Sequence, residues 1–509
     1  MHSARLTLLA LATSLVIASC GGGGGGNGFS FTPLPPASES NPPAPVPEPP
    51  APPAPEPEET RLQDSRNDFA PADPTATTFP ALQADASDKV DNATTSRWAG
   101  MLGGAQYHVE VPANWNGQLV MWGHGYAGTG KELKVDDPSI RRHLIQNGYA
   151  WAASSFSKNY YDLRVAVEDT NALALAFSQI AKANGRDLAA PSKLFISGGS
   201  FGGSLAATAV EDETYATANH KVKYNGALPM CGALGDTELF DYFAGLQVTA
   251  QALAGLPKYP RANWADIQAQ VTSALFTQFS PLGIAPTPAG EKYASVIQNL
   301  SGGPRPLFDL AFTAGGSLMA PWTVAFVVDD IADGVLNKNV TDTTRFTYTI
   351  DGDPAGSAAL NASALKISAV PDANRLRRDG LRWIPKINGE FKVPVLTLHT
   401  LGDLFVPFSM EQIYNRRVAA KGNGQWLVQR AVRGISHCDF TQKEATEAFD
   451  ALVKWERDGV KPAGDDVVTP AVVADPAYGC TFTRPADMAD DSGLIKLGRM
   501  LAGSKPCPT

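Results

Sequence analysis

The chain has 509 residues, a hydrophobic content of 44% and a net charge of −9 at pH 7. Residues 76–509 are enough for one large domain, or for a core domain with an insert, and can bury a sizeable core. No cluster of Lys and Arg occurs, so the composition excludes a nucleic-acid-binding protein that relies on phosphate contacts.

Residues 1–20 have the pattern of an export signal, with a basic start, an apolar core over 6–17 and small residues after it. The sequence Ile17-Ala18-Ser19-Cys20 resembles a bacterial lipobox, which implies that Cys20 becomes the lipidated first residue of the mature protein. Gly21, rather than Asp, follows the cysteine. In Gram-negative lipoproteins, this residue type favours sorting to the outer membrane. We therefore expect an exported protein whose lipid anchor makes the membrane its partner; secretion without an anchor is the alternative.

Residues 21–75 begin with six glycines and continue into a segment rich in Pro, Ala and Glu. Poly-Gly is flexible and Pro-rich sequence is extended, and neither offers apolar side chains to bury. The composition predicts a disordered tether without a binding role.

Apolar or alternating runs predict strands over 106–111, 118–122, 149–153 and 194–197. Between the last two, residues 162–184 carry apolar side chains at near-helical spacing, and Gly185 follows as a C-cap. A helix is predicted over 204–210 and a strand over 222–229. Strands that alternate with helices predict an α/β fold, with a mostly parallel central sheet flanked by helices.

The alternation stops over 235–382, which is helix-like and rich in aromatic residues, with one strand predicted over 346–350. It resumes with a strand over 393–399, a helix over 409–420, a strand over 426–431 and a helix over 442–458. We expect residues 76–234 and 383–460 to form the two parts of one core, and 235–382 to form a large helical lid insertion. A C-terminal extension over 461–509 completes the chain, and the aromatic residues of the insertion are predicted to form its own core.

The strand over 194–197 runs into the motif Gly198-Gly199-Ser200-Phe201-Gly202, which a helix follows. A G-x-S-x-G motif between a strand and a helix is typical of a nucleophile elbow, in which a strained turn exposes the serine hydroxyl. The chain has 47 glycines, so the motif alone has little specificity. Its interpretation depends on a base and a carboxylate elsewhere in the sequence.

A serine hydroxyl becomes a strong nucleophile when a histidine takes its proton and a carboxylate orients that histidine. Three of the seven histidines follow Ser200. His220 lies in a polar loop and His399 within a buried strand, so we expect both to be structural or exposed. His437 follows the last predicted strand and is the predicted base.

Asp403 directly follows the strand over 393–399 and is the predicted orienting carboxylate. Asp439 lies too close to His437 in sequence to orient it easily. The predicted catalytic residues therefore occur in the order Ser200, Asp403, His437, each in a loop after a different strand.

Four cysteines follow Cys20, and an even number in an exported protein suggests two disulfides with three possible pairings. Their spacing favours a disulfide between Cys480 and Cys507, which would cross-link the C-terminal extension. Cys231 would then pair with Cys438. Neither C-x-x-C nor H-E-x-x-H occurs, so no metal site is expected, and no cofactor is predicted.

Residues 125–131 match the start of a phosphate-binding loop, G-x-x-x-x-G-K. Glu132 stands where such a loop requires Ser or Thr, which removes the Mg²⁺ ligand and places a carboxylate beside the phosphates. An exported protein also meets little ATP, so we reject a nucleotide site.

The order Ser, Asp, His resembles that of the α/β-hydrolase superfamily, and the turn over 402–407 resembles its G-x-D-x-x-V-P acid turn. The resemblance covers roughly residues 100–460 and implies a serine hydrolase that cleaves carboxylic esters through an acyl-enzyme. It also implies an oxyanion hole formed by the backbone N–H groups of Phe201 and Tyr126, since residues 123–128 match the superfamily's His-Gly loop. The expected partner is a small or oligomeric ester.

Two alternatives remain open. Ser200 lies in a Gly-Gly-Ser-Phe-Gly-Gly sequence that also resembles the elbow of prolyl-oligopeptidase-like enzymes, which implies an amidase or peptidase with the same triad. A non-catalytic surface lipoprotein is the third candidate. A Cys231–Cys438 pair would be similar to the disulfide beside the triad of tannase and feruloyl-esterase relatives.

Overall fold

The computed structural model describes residues 68–508 except 259–263, 281–282, 315, 324–334 and 337. The predicted export signal with Cys20, and the predicted tether up to residue 67, lie outside the described residues. Within the described part, one sheet has the strands Ser96–Leu102 (β1), Ala105–Val111 (β2), Gln118–Gly123 (β3), Ala150–Ser154 (β4), Lys193–Gly199 (β5), Gly226–Met230 (β6), Val395–Thr400 (β7) and Leu427–Val432 (β8).

The strands are arranged in the order β1-β2-β4-β3-β5-β6-β7-β8. Strand β2 is antiparallel to both of its neighbours, and all other neighbouring pairs of this sheet are parallel. The register aligns the strand ends, since Gly123 pairs with Gly198 and Gly199 pairs with Met230. The predicted α/β class with a mostly parallel sheet is confirmed, and the carboxyl ends of β3 and β5 to β8 meet at one edge.

Successive side chains of the central strands face opposite layers. Leu119 and Met121 of β3 belong to one apolar core, and Val120 and Trp122 belong to the other. All four are buried. A parallel strand covered on both faces needs apolar residues at every position, which explains why residues 118–122 show no alternation.

The α-helices of the described residues are Arg141–Gln146 (α1), Leu163–Ala183 (α2), Phe201–Thr208 (α3), Asp212–Thr217 (α4), Glu238–Leu253 (α5), Trp264–Leu275 (α6), Pro288–Leu300 (α7), Phe308–Ala314 (α8), Gly316–Thr323 (α9), Pro354–Ser363 (α10), Ser409–Ala420 (α11), Gln442–Asp458 (α12), Pro470–Val473 (α13) and Gly493–Ala502 (α14). Helices α2 and α3 share a core with one face of the sheet, and α1 and α12 share a core with the other. None of these helices combines the length and the apolar character that crossing a bilayer requires.

Two long helices begin and end where their capping residues predict. The Asp162 side chain accepts the N–H of Val165 at the start of α2. Helix α12 begins with a reciprocal capping box between Thr441 and Glu444 and ends at Gly459, whose φ is 70°. The helices predicted over 162–184 and 442–458 are confirmed.

The insertion, residues 235–382, leaves the sheet after β6 and returns before β7. Its described part contains α5 to α10 and an antiparallel pair of short strands, Phe276–Ser280 and Gly283–Pro286. Tyr242 of α5 and Tyr293 of α7 belong to the same apolar core as α2 and α3. Most buried aromatic residues of the insertion therefore share a core with one face of the sheet, so the prediction that they form a separate core is wrong. A smaller cluster around Tyr348 and Leu360 is separate.

The strand predicted over 346–350 is wrong, because this segment is irregular. Side chains satisfy its backbone groups: Asn361 accepts the N–H of Tyr348 and donates to its carbonyl, and the Ser357 hydroxyl accepts the N–H of Ile350. These bonds replace the partner strand that an apolar, β-branched run would otherwise need.

One strand was missed, and two boundaries differ by several residues from the predictions. Strand β1 was not predicted, and β6 begins at Gly226 rather than at 222. The tether was predicted to extend to residue 75, but Ala70–Pro71 pairs in parallel with Glu132–Leu133. Edge strands and short pairings carry a weak sequence signal, since they bury few side chains.

Candidate active site

Ser200 lies at the turn between β5 and α3. Its φ and ψ are 58° and −120°, which is a strained conformation for a residue with a Cβ. The Met230 carbonyl at the end of β6 accepts its backbone N–H at 3.0 Å. The strand, the strained serine and the immediate helix reproduce the geometry predicted for a nucleophile elbow.

The glycines around Ser200 permit a very close backbone approach. A Cβ at Gly202 would lie 1.9 Å from the Gly123 carbonyl oxygen, and a Cβ at Gly198 would lie 2.5 Å from the same atom. Real Cβ atoms cannot approach an oxygen so closely, so only glycine allows α3 to pack against the end of β3. The glycines of the motif are therefore explained by packing.

The structure brings Ser200, Asp403 and His437 together. The Nε2 atom of His437 lies 2.7 Å from the Ser200 Oγ, and its Nδ1 atom lies 2.6 Å from the Asp403 Oδ2. The side chain of His437 is 17% exposed and that of Asp403 is fully buried. This continuous chain of hydrogen bonds has the geometry in which a histidine can take a serine proton while a carboxylate fixes its tautomer.

The second carboxylate oxygen of Asp403 is held by its own turn. Oδ1 accepts the backbone N–H of Phe405 at 2.9 Å and that of Val406 at 3.0 Å. With Oδ2 facing His437, both oxygens have partners and the carboxylate has a fixed orientation. The D-x-x-V-P pattern is therefore explained by an Asx-type turn that aims Asp403.

Three side chains of the insertion, none of them predicted to be functional, bind the acid loop, which is defined as residues 401–406. The Arg305 Nε donates to the Leu401 carbonyl at 2.7 Å, the Ser317 hydroxyl to the Gly402 carbonyl at 3.2 Å, and the Tyr242 hydroxyl to the Leu404 carbonyl at 2.9 Å. Burial lowers the pKa of Arg305 to about 10, so its guanidinium remains charged at neutral pH. The described part of the insertion thus supports the acid loop directly.

The predicted oxyanion-hole residues lie beside Ser200. Phe201 is the first residue of α3, where backbone N–H groups have no partner within the helix. A Cβ placed at Gly125 would lie 3.8 Å from the Ser200 Cβ, and Tyr126 lines the same small cavity as Ser200. The loop after β3 and the start of α3 therefore approach the nucleophile from two sides.

Cys231, directly after β6, and Cys438, in the loop over 433–441 that carries His437 (the histidine loop), form a disulfide. Their Cα atoms are 5.4 Å apart. The Cys231 Sγ lies 3.2 Å from the Ser200 backbone nitrogen, and the Cys438 Sγ lies 3.5 Å from the His437 Nε2. The covalent link therefore contacts both residues of the Ser200–His437 hydrogen bond, Ser200 at its backbone and His437 at its ring.

The second disulfide joins Cys480 to Cys507 and closes the C-terminal extension. Within this extension, Arg499 of α14 donates to the carbonyls of Arg433 and Asp439 at 2.8 and 2.5 Å, and it pairs with Glu444 at 2.6 Å. The extension therefore supports the histidine loop from outside the core.

We expect replacement of both Cys231 and Cys438 by serine to lower the free energy of unfolding and the activity together. The disulfide spans 207 residues, and the chain-entropy account assigns about 5 kcal/mol of stability to a cross-link of this span. A freed histidine loop also misplaces His437, for which we expect a loss of kcat of about 10². Denaturant unfolding and steady-state kinetics measure the two effects.

The matched control replaces Cys480 and Cys507 by serine, since this disulfide spans only 27 residues and does not touch the triad. It should lower stability with a much smaller effect on kcat. A free Cys438 thiol, detected by mass spectrometry of the non-reduced protein, would contradict the pairing.

The remaining sequence candidates lie elsewhere. The His220 Nδ1 lies 3.0 Å from Glu168 at the surface. Asp439 accepts the N–H of Ile435 and does not contact the His437 ring through any bond of the described residues, and burial raises its pKa. Lys131, at the end of the rejected phosphate-loop motif, is exposed and pairs with Asp68. The site thus contains one His437–carboxylate pair, that with Asp403.

A narrow apolar cavity of about 20 Å³ lies beside Ser200. Its lining includes the aromatic residues Tyr126, Tyr161, Phe201, Phe240, Phe243 and Phe405. A larger cavity of about 510 Å³, lined by residues of α5, α7 and α11, contains no triad residue. The small cavity is therefore the one that bears on chemistry at Ser200.

The strand order and the position of each site residue decide the fold. Ser200 follows β5, Asp403 follows β7 and His437 follows β8, in a sheet ordered β1-β2-β4-β3-β5-β6-β7-β8 with only β2 reversed. The chain has the α/β-hydrolase fold. In this fold, the three residues meet because parallel strands present their carboxyl ends at one edge.

Comparisons with known proteins gave limited likenesses. No protein-family model matches the chain. An o-phthalyl amidase from Xanthobacter agilis is 32% identical over 66 residues, which span 13% of this chain and only 15% of that relative. The assignment of the fold does not depend on this short match.

Two solved structures from Aspergillus oryzae are similar over most of their length. A feruloyl esterase B has 17% identity and a TM-score of 0.43, covering 77% of this chain and 89% of that one. An esterase has 14% identity and a TM-score of 0.42, covering 72% and 80%. The fold assignment above depends on the strand order and not on these likenesses.

Proposed function

We propose that this α/β-hydrolase is a serine hydrolase that cleaves carboxylic esters through an acyl-enzyme. The observation that carries the proposal is the hydrogen-bond chain from Ser200 through His437 to Asp403, with distances of 2.7 and 2.6 Å. Ser200 is the nucleophile, His437 the base and then the acid, and Asp403 the residue that orients the imidazole.

In the proposed reaction, the Ser200 Oγ attacks the ester carbonyl while its proton moves to the His437 Nε2. Negative charge then develops on the carbonyl oxygen, and the N–H groups of Phe201 and of Tyr126 stabilise it. Collapse of the tetrahedral intermediate releases the alcohol, which takes the proton from His437. A water molecule, activated by His437 in the same way, hydrolyses the acyl-enzyme and restores Ser200.

The cavity beside Ser200 supports a short acyl group. A volume of about 20 Å³ is far below the roughly 300–1,000 Å³ of an ordinary small-molecule site. Its wall is a connected set of aromatic rings: Tyr161 contacts Phe240 at a centroid distance of 5.1 Å, and Phe405 contacts the His437 ring at 5.1 Å. Phe243 stacks on Phe405 at 5.8 Å. Such packed rings resist the displacement that a long chain would need.

A second candidate is hydrolysis of an amide by the same residues. The 32% identity to an o-phthalyl amidase over 66 residues favours this candidate. An amine is a poorer leaving group than an alcohol and depends more strongly on proton donation by His437. The two candidates therefore differ in leaving group and not in the triad.

Matched substrates test the proposal. We expect p-nitrophenyl acetate to be hydrolysed faster than p-nitroacetanilide, which has the same acyl group. Among p-nitrophenyl esters, kcat/KM should fall from acetate to butyrate to octanoate, because each methylene that a fixed pocket rejects costs about 1–3 kcal/mol. Initial rates at equal enzyme concentration measure both comparisons.

Different outcomes select different candidates. A higher kcat/KM for the anilide would replace the ester proposal by the amide candidate. A profile that rises towards octanoate would refute the short-acyl pocket. A folded wild-type protein that neither turns over these substrates nor reacts with a fluorophosphonate probe would favour the non-catalytic surface lipoprotein.

A further inference from the structure

His399 of β7 is fully buried next to the acid loop. Its Nε2 atom lies 2.9 Å from the Val406 carbonyl oxygen and 3.8 Å from the Asp403 Oδ2. The His437 Nδ1 approaches the same Asp403 oxygen at 2.6 Å. One carboxylate oxygen is therefore shared between two imidazole rings, only one of which contacts Ser200.

The other nitrogen of His399 faces a second buried carboxylate. Its Nδ1 lies 3.4 Å from the Oε1 of Glu411, whose side chain is 1% exposed. The Glu411 Oε2 accepts bonds from the Thr397 hydroxyl at 2.6 Å and from the Gln429 amide at 2.5 Å. Among the described residues, neither the His399 Nδ1 nor the Glu411 Oε1 has a hydrogen-bond partner, and the two atoms face each other at 3.4 Å.

The charges around His399 favour its protonated form. Burial alone lowers the pKa of His399, but the hydrogen bond and charge of Glu411, the charge of Asp403 and the Val406 carbonyl together raise it above its usual value of 6.5. Two buried carboxylates without a cation between them would be costly, and an imidazolium offsets both.

The other titratable groups that interact with Asp403 or Glu411 include one further cation and three phenols. Arg305 interacts electrostatically with Asp403 from the side of the insertion. The phenols of Tyr242, Tyr414 and Tyr478 interact with Asp403 or Glu411, and burial raises the pKa of each, so they remain neutral. Asp403, Glu411, His399 and Arg305 then sum to zero charge.

We propose that His399 is a positioning residue of the triad. Glu411 keeps His399 in its imidazolium form, and His399 in turn fixes the acid loop through the Val406 carbonyl and faces the Asp403 Oδ2. The inference rests on the proposed function, because it assigns a role in the Ser200 reaction. It extends the line of interacting groups from Ser200 through His437, Asp403 and His399 to Glu411.

The positive charge has a direct chemical consequence for the base. A cation near the Asp403 Oδ2 weakens the attraction of this carboxylate for the proton that His437 gains during catalysis. Without that cation, His437 holds a proton more tightly, and the free base is present only at higher pH. A residue that only filled space in the core would not have this effect.

His399→Gln and Glu411→Gln test the proposal through the pH profile of kcat/KM. Glutamine at 399 still donates to Val406 but carries no charge, and glutamine at 411 removes the counter-ion that keeps His399 protonated. We expect both substitutions to move the acidic limb of the profile to higher pH, by about one pH unit. His220→Gln is the matched control, since it breaks a His–Glu pair at the surface, and its profile should match that of the wild type.

Folded variants whose acidic limb does not move, or moves to lower pH, would overturn the proposal. A direct measurement covers the case in which neither variant folds. In Ser200→Ala protein labelled with ¹⁵N-histidine, both ring nitrogens of His399 should have the chemical shifts of protonated nitrogen at pH 7, and one unprotonated nitrogen would refute the imidazolium. This readout does not require turnover, so its failure is distinct from a failure of the proposed hydrolase function.

Discussion

Replacing Ser200 by alanine should abolish ester hydrolysis, with kcat for p-nitrophenyl acetate falling by a factor of about 10⁶. The substitution removes the only oxygen within hydrogen-bond reach of the His437 Nε2 among the described contacts, at 2.7 Å. His437 then has no hydroxyl to deprotonate, and no acyl-enzyme can form. Stopped assays at high enzyme concentration measure the residual rate.

Labelling by a fluorophosphonate probe gives the second readout for this variant. The wild-type protein should carry the label on the peptide that contains Ser200, and the variant should carry none. Ser192→Ala is the matched control, because Ser192 lies just before β5, at the opposite end of the strand, and donates only to the Gly117 carbonyl. Undiminished hydrolysis by Ser200→Ala, or a label on another residue, would refute the role of Ser200.

Asp403→Asn should lower kcat by about 10⁴ without unfolding the protein. The asparagine oxygen can still accept the N–H groups of Phe405 and Val406, as the Asp403 Oδ1 does at 2.9 and 3.0 Å. Its amide NH₂ then faces the His437 Nδ1 and forces the proton onto Nε2. A histidine in this tautomer cannot accept the proton of Ser200. Steady-state kinetics and circular dichroism measure the loss and the retained fold.

The control for this prediction is another Asp–His pair. The Asp450 Oδ1 lies 2.8 Å from the His143 Nε2 at the surface, and Asp450→Asn should leave kcat unchanged. An Asp403→Asn variant that kept more than a tenth of the wild-type kcat would show that Asp403 does not orient the base. Asp403→Glu adds a test of geometry, since it keeps the charge and moves the oxygens.

Elements with a local signal were predictable from the sequence. The apolar runs at 118–122 and 194–197 correspond to β3 and β5, and the Asp162 cap marks the start of α2. Their side chains are buried on both faces or along one stripe, so the hydrophobic pattern records their conformation directly. The irregular segment 346–350 was mispredicted because partners such as Asn361, rather than a neighbouring strand, satisfy its backbone.

The candidate site was predictable as far as the sheet topology alone determines which loops lie close together. Parallel strands present their carboxyl ends at one edge, so residues after β5, β7 and β8 had to come close together. Ser200 and His437 are 237 positions apart, yet the order of strands was enough to pair them. The same reasoning treated His399 as structural, since a histidine inside a buried strand carries no sign of its neighbours.

The sequence by itself determined which residues stand at the ends of which strands, the glycines that the turn at Ser200 requires and the cysteines available for disulfides. Only the tertiary structure decided that Arg305, Ser317 and Tyr242 bind the acid loop, and that His399 lies between Asp403 and Glu411. The physical reason is the distance along the sequence over which each kind of interaction acts. Strand and helix patterns are set within a few residues, whereas a hydrogen bond between residues 162 positions apart depends on tenths of an ångström that no local pattern encodes.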